Sequence, residues 1–133
     1  MNVVKFNSYS EEYTKMINDD EFEKIFINIR RKQVFKAICN YPHNSILEIG
    51  CGLDPFFTHF NEFNKYVIVE PVEAFVDNAK SLAIDNENIS IINGKVQNHL
   101  DDLINYKFDF IILSSLLHEV ESPDEILKCI YKI

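Results

Sequence analysis

Glu48, Gly50, Gly52 and Asp54 stand close together in the stretch SILEIGCGLDPF, residues 45–56. Glycines two apart leave backbone bare, so a ligand can approach it closely. Carboxylates on either side give that bare backbone a negative surrounding. A diphosphate would be repelled there. A ligand with a positive centre and no phosphate would not. The dinucleotide fingerprint needs a third glycine, and Asp54 occupies its place.

Two further clusters could take part in the same chemistry. Glu70 follows the glycines by about 20 residues, the distance at which an acid at a strand end accepts both hydroxyls of a ribose. Pro71 comes next, and the plainer role for Glu70 is to cap a helix that begins there. The second cluster is Ser114-Ser115-Leu116-Leu117-His118-Glu119. An imidazole titrates near neutrality, so His118 suits a general base that takes a proton from a hydroxyl. The competing role is a histidine that satisfies loop backbone groups. Glu119 is a weaker candidate base. His43, His59 and His99 read as turn or helix-surface positions, and no metal-ligand spacing is present.

These residues need elements to position them. Ile46, Leu47 and Ile49 form an apolar run ending in glycine, which predicts a buried parallel strand and a tight turn. Asp54 and Pro55 then predict a helix start, with Phe56, Phe60 and Phe63 along one face. Residues 65–70 (KYVIVE) predict the second strand, with Glu70 at its C-terminal end. Val72, Phe75, Val76, Ala79 and Leu82 stripe a helix. Residues 89–93 predict a third strand closed by Gly94, and Val96, Leu100, Leu103 and Ile104 a short helix. Residues 108–114 (FDFIILS) predict a central fourth strand. Ser122-Pro123-Asp124-Glu125 predicts a last helix start. Before the first strand, Ser8 with Glu11 predicts a capping box and a helix to about Asn18. Asp19 or Asp20 caps a second helix carrying Phe22, Ile25, Phe26 and Ile29, and Pro42 ends it.

The order of these features resembles class I methyltransferases that use S-adenosyl-L-methionine. The match is carried by Glu48-Ile49-Gly50-Cys51-Gly52, by Glu70, and by the strand ending in small residues before Leu117-His118. The resemblance spans about residues 45–133. It implies an α/β fold, Rossmann-like and doubly wound, with a parallel sheet in the order 3-2-1-4, apparently truncated after the fourth strand and preceded by two N-terminal helices. It implies two parts: an N-terminal helical segment at 1–44, serving as lid or packing helices, with Tyr9, Tyr13 or Arg30 near a substrate if it is a lid; and a cofactor-binding domain at 45–133. It further implies that Glu48, Gly50, Cys51, Gly52 and Asp54 surround the methionine part of the cofactor. Glu70 and Pro71 would stand at the ribose, and Ser114 and Ser115 would line the cofactor from the fourth strand. The family carries an acid after the third strand to read the adenine amino group. Lys95 stands there instead, so adenine would fall to backbone near Lys95 and Val96, or to Gln97.

The implied activity is methyl transfer to a small-molecule acceptor, with oxygen a candidate atom and His118 the candidate catalytic residue. Two alternatives remain open at this stage: an NAD(P)-dependent oxidoreductase, and a non-catalytic methyltransferase-like interaction module. The fourth strand would be interior in the whole family fold and is an edge here. Either the chain is the N-terminal part of a longer protein or a second copy covers that edge, since apolar edges invite pairing.

Composition narrows the partners. Net charge is −8 over 133 residues, which disfavours a nucleic-acid surface. The segment at 114–119 is also unlike the Asn-Pro-Pro-Tyr motif of DNA amino methyltransferases. No run approaches the ~20 apolar residues of a membrane span. The first residues lack the pattern of a secretory signal. Cys39, Cys51 and Cys129 are odd in number and scattered, consistent with free thiols in a reducing cytoplasm.

Overall fold

The apolar runs become strands of one parallel sheet. The computed structural model describes residues 3–133, with side chains described from Ser10 onward. Strands β1 (Ser45–Ile49), β2 (Lys65–Glu70), β3 (Ile89–Asn93) and β4 (Phe110–Ile112) lie in the order β3-β2-β1-β4. All three pairings are parallel. Leu47 stands opposite Val67 and Ile111, and Glu70 opposite Asn93. The Rossmann-like order expected from the sequence is the one observed. β4 is shorter than the predicted span of 108–114. Asp109 leaves the ladder because its carboxylate and its N–H engage the backbone of Ser45.

Side-chain alternation gives the sheet two apolar faces. Leu47, Ile49, Val67 and Val69 pack with Val96, Leu103 and Ile126, the last two from helices α4 (Leu100–Leu103) and α5 (Pro123–Ile130). The opposite face carries Ile46, Tyr66 and Ile68, all fully buried. Phe57 and Phe63 meet the Tyr66 ring there, at centroid distances of 5.9 and 4.9 Å. Helix α3 (Glu73–Leu82) follows β2 and buries Phe75, Val76 and Ala79.

One predicted element is replaced. Residues 54–63 do not form a crossover helix. Only a 3₁₀ turn, Phe56–Thr58, is present. Two contacts explain the change. The Phe56 N–H, a donor that a helix cap would satisfy, is held by the Glu48 carboxylate at 3.2 and 3.1 Å. The Asp54 carboxylate turns instead to Thr58 Oγ1, at 2.8 Å, and to His59. The chain then runs irregularly, so that Phe56, Phe57, Phe60 and Phe63 are all buried. Ser122 does precede α5, but its hydroxyl makes no cap bond.

The chain divides into two compact units, Met1–Tyr41 and Pro42–Ile133. The first contains helices α1 (Val3–Asp19) and α2 (Glu21–Ile38). α1 starts earlier than the predicted cap at Ser8, which falls inside it. No proline or glycine stands among residues 3–7 to stop a helix there. Asp20 caps α2 as expected, its side chain accepting from the Phe22 N–H at 2.8 Å. The side chain of Tyr9, one of the candidate lid residues, lies outside the described residues. Among the described residues no helix is long and apolar enough to cross a membrane.

Candidate functional site

The C-terminal ends of β2 and β4 flank the glycine turn that follows β1, and the end of β3 lies beside that of β2. Gly50 and Gly52 adopt φ of 73° and 59°, in the left-handed region that favours glycine. The turn is pinned at three points. The Gly50 N–H donates to the Val69 carbonyl at 3.0 Å. The Gly52 N–H donates to Glu70 Oε2 at 3.2 Å. Asn78, from α3, donates to the Leu53 carbonyl at 2.7 Å.

Glu70 is the buried acid of this site. Its second oxygen accepts from the Val72 N–H at 2.9 Å. Burial pushes its carboxyl above the ordinary value. The Val72 and Gly52 N–H groups, with the nearby Cys51, oppose that rise. The C=O of Glu70 holds the Gly94 N–H at 3.0 Å, which brings the end of β3 alongside. Lys95, exposed, and Val96, buried, follow directly. Pro71 is half-buried between Glu70 and α3, whose first helical residue is Glu73.

Cys51 is buried in the turn, and its thiol is pushed far up, first by burial and then by the Glu70 and Glu48 carboxylates. It is a neutral thiol at neutral pH, unsuited to nucleophilic attack. Glu48 is buried on β1, just before the turn. Its carboxylate accepts from the Tyr66 hydroxyl at 2.8 Å and from the Phe56 N–H. Its charge is therefore engaged inside the protein, where it anchors the segment after the turn. Asp54, equally expected at the ligand, is half-exposed and turned to Thr58 and His59.

The segment after β4 reaches the same place. Ser115 takes φ of 60°, the only positive value at a non-glycine among the described residues. It directs Leu116 onto Gly50. A Cβ added to Gly50 would lie 2.8 Å from Leu116 Cδ1. The Leu116 C=O then accepts the Glu119 N–H at 2.9 Å, closing a turn that displays His118. His118 is 67% exposed by side chain, and its Nε2 lies 3.6 Å from Glu119 Oε1. Ser114 is exposed and Ser115 half-buried.

The structure thus gathers Gly50, Cys51, Gly52, Glu70, Gly94 and Leu116. Glu48 also bonds to Tyr66 and the Phe56 N–H, and Asp54 to Thr58 and His59. Sequence reasoning missed Tyr66, Asn78, Leu116 and His99, whose ring stands over the bare Cα of Gly94. Gly94 itself was a readable hint, because a glycine at a strand end signals a close neighbour. Nothing in sequence spacing marks Asn78 or Tyr66 as partners of residues 25 and 18 positions away. Among the described residues no cluster of His, Cys, Asp and Glu could hold a metal.

Comparison with known proteins adds an independent finding. A family model described as a methyltransferase domain matches residues 47–133. No curated protein sequence matches the chain. Solved structures with the same fold include the plantazolicin methyltransferase BamL, crystallised with a triazolic desmethylPZN analog and SAH. That pair has 17% identity and a TM-score of 0.63, over 98% of this chain and 55% of that one. The CurJ carbon methyltransferase matches with 19% identity and a TM-score of 0.67, over 90% of this chain and 35% of that one. The N-methyltransferase NodS from Bradyrhizobium japonicum WM9, in complex with S-adenosyl-L-homocysteine, gives 16% and 0.63, over 87% and 57%. The chain therefore spans little more than half the length of these proteins, or less.

Proposed function

Since the chain belongs to the family of methyltransferase domains, we propose that it binds S-adenosyl-L-methionine and serves methyl transfer to a small-molecule acceptor. The observation that carries this reading is Glu70. It is a buried carboxylate at the end of β2, bonded to the Gly52 N–H of a turn with bare backbone. The donor set suits the cofactor. A carboxylate offers roughly four acceptor sites. The Gly52 and Val72 N–H groups take two, the Cys51 backbone and thiol lie close to the rest, and a ribose diol would displace the weaker of these. The weakly donating Cys51 thiol gives way at little cost.

When bound, the cofactor supplies a methyl group activated by a sulfonium. The chain's own residues bind and orient. Gly50, Cys51 and Gly52 present backbone to the methionine part, and Glu70 with Pro71 holds the ribose side. Backbone near Lys95 and Val96 reads the adenine. Ser114 and Ser115 line the site from the end of β4. Glu48 adds negative potential beside the methionine part and also fixes the Phe56 segment behind the turn. Asp54 adds negative potential from the rim. His118 is the candidate base for an oxygen acceptor, displayed on a turn beside Glu119. The similar solved structures include carbon and nitrogen methyltransferases, and oxygen is the acceptor atom proposed for this chain. The helices of residues 1–44 serve as lid or packing, and a reducing cytoplasm fits the three free thiols.

Isothermal titration of the full chain with S-adenosyl-L-homocysteine tests the reading. Binding is expected, and Glu70→Ala is expected to weaken it severely. No binding by the unmodified chain would overturn the cofactor assignment. Unchanged affinity in Glu70→Ala would remove Glu70 from it.

A further inference from the structure

The glycine turn and the turn that displays His118 meet at the Leu116 side chain. Leu116 packs on the bare Cα of Gly50, at the first glycine of the proposed cofactor cradle. Its carbonyl also closes the turn from Leu116 to Glu119, on which His118 is the third residue. Ser115 holds φ of 60°, a left-handed conformation that is strained for a residue with a side chain and persists only when its surroundings enforce it. Here the enforcing contacts lie on the C-terminal side, where Leu116, Leu117 and Val120 pack against the core beneath β1 and β2. A methyl group added at Gly50 would meet the end of the Leu116 side chain, which would have to give way.

We propose that Leu116 is a positioning residue that sets His118 in register with the glycine turn, so that a ligand seated on the turn is felt at His118. The proposal rests on the cofactor reading given above and adds a route by which cofactor binding prepares the acceptor side. The linkage is mechanical: a shift of Gly50 moves the Leu116 side chain, and the Leu116 carbonyl carries the 116–119 turn with it.

Two experiments on the full chain test it, both read by amide hydrogen exchange of residues 114–119 and by the NMR resonances of the His118 imidazole. In the first, S-adenosyl-L-homocysteine is added to the unmodified chain and to Leu116→Ala and Leu116→Met. Exchange at residues 117–119 is expected to slow about tenfold in the unmodified chain, a typical coupling between two sites. Leu116→Ala should bind the ligand yet lose most of that response, and Leu116→Met should restore it. A response undiminished in Leu116→Ala, or none in the unmodified chain despite binding, overturns the proposal. The second experiment needs no ligand. Gly50→Ala pushes on Leu116 and should shift the His118 resonances, whereas Gly50→Ala in the Leu116→Ala background should shift them far less. Equal shifts in both backgrounds overturn the proposal. If Gly50→Ala does not fold, temperature coefficients of the His118 resonances in Leu116→Ala against Leu116→Met replace it, with equality as the overturning result. Absence of ligand binding by the unmodified chain would strike the cofactor reading alone, and the ligand-free measurements would then decide the role of Leu116.

Discussion

Glu48 and Glu70 are both buried carboxylates on adjacent strands, and their neighbours give them different work. Glu48 is enclosed by the Tyr66 hydroxyl and the Phe56 amide, and the Tyr66 phenol stays protonated because burial and then Glu48 itself push it up. Glu70 lies at the strand end, against the turn. Its raised carboxyl has a consequence for stability. The unfolded chain loses this proton near the ordinary value of 4.5, and the folded chain keeps it to higher pH. Between those points the folded state binds the extra proton, so stability falls as pH rises through the window upward from 4.5. Glu70→Gln cannot titrate. Urea midpoints measured across that window should decline less steeply in Glu70→Gln than in the unmodified chain. Parallel profiles would mean that Glu70 does not carry the effect. The sequence marked both acids as important, but it could not divide their roles. The division depends on Tyr66, which becomes a partner of Glu48 only when β1 and β2 pair.

At the scale of elements, the strands were readable and the connection after β1 was not. Residues 65–70 and 89–93 match their observed strands end to end, because apolar runs bounded by polar turns leave little freedom. The Asp54-Pro55 signature is a sound local rule for a helix start, yet it lost to tertiary demands. Glu48 took the amide that the cap would need, and four phenylalanines found burial in an irregular path over Tyr66. This segment should therefore be held by its aromatic packing more than by local propensity. Phe57→Ala removes a ring that is 9% exposed and in edge contact with Tyr66. A loss of about 3–5 kcal/mol is expected in urea unfolding, the usual cost of emptying a buried aromatic site. A loss under about 1 kcal/mol would be the signature of an exposed position and would contradict the packing.

For the whole molecule, sheet order followed from the motif order, and the open edge of β4 follows from the sheet order. Phe110 and Ile111 are half-buried on a strand that pairs with β1 on one side, and no second pairing of β4 is present among the described residues. Such an edge is a template for another strand. If a second copy covers it, sedimentation velocity at micromolar concentration should show a dimer. A monomer across that range would exclude self-pairing by this edge. The N-terminal helices were legible as helices from the spacing of Phe22, Ile25, Phe26 and Ile29. All four are exposed in the structure, since periodicity names a face and does not by itself bury it.

The enclosure of Cys51 has one more implication. Its sulfur sits under the floor of the turn, beside two acids that disfavour the thiolate, while Cys39 is exposed and Cys129 half-buried. Electrophilic labels and mild oxidants should therefore modify the outer two cysteines and pass the inner one by. Modification at Cys51 becomes a clock for how often the floor lifts, and any occupant lying across it should slow that clock.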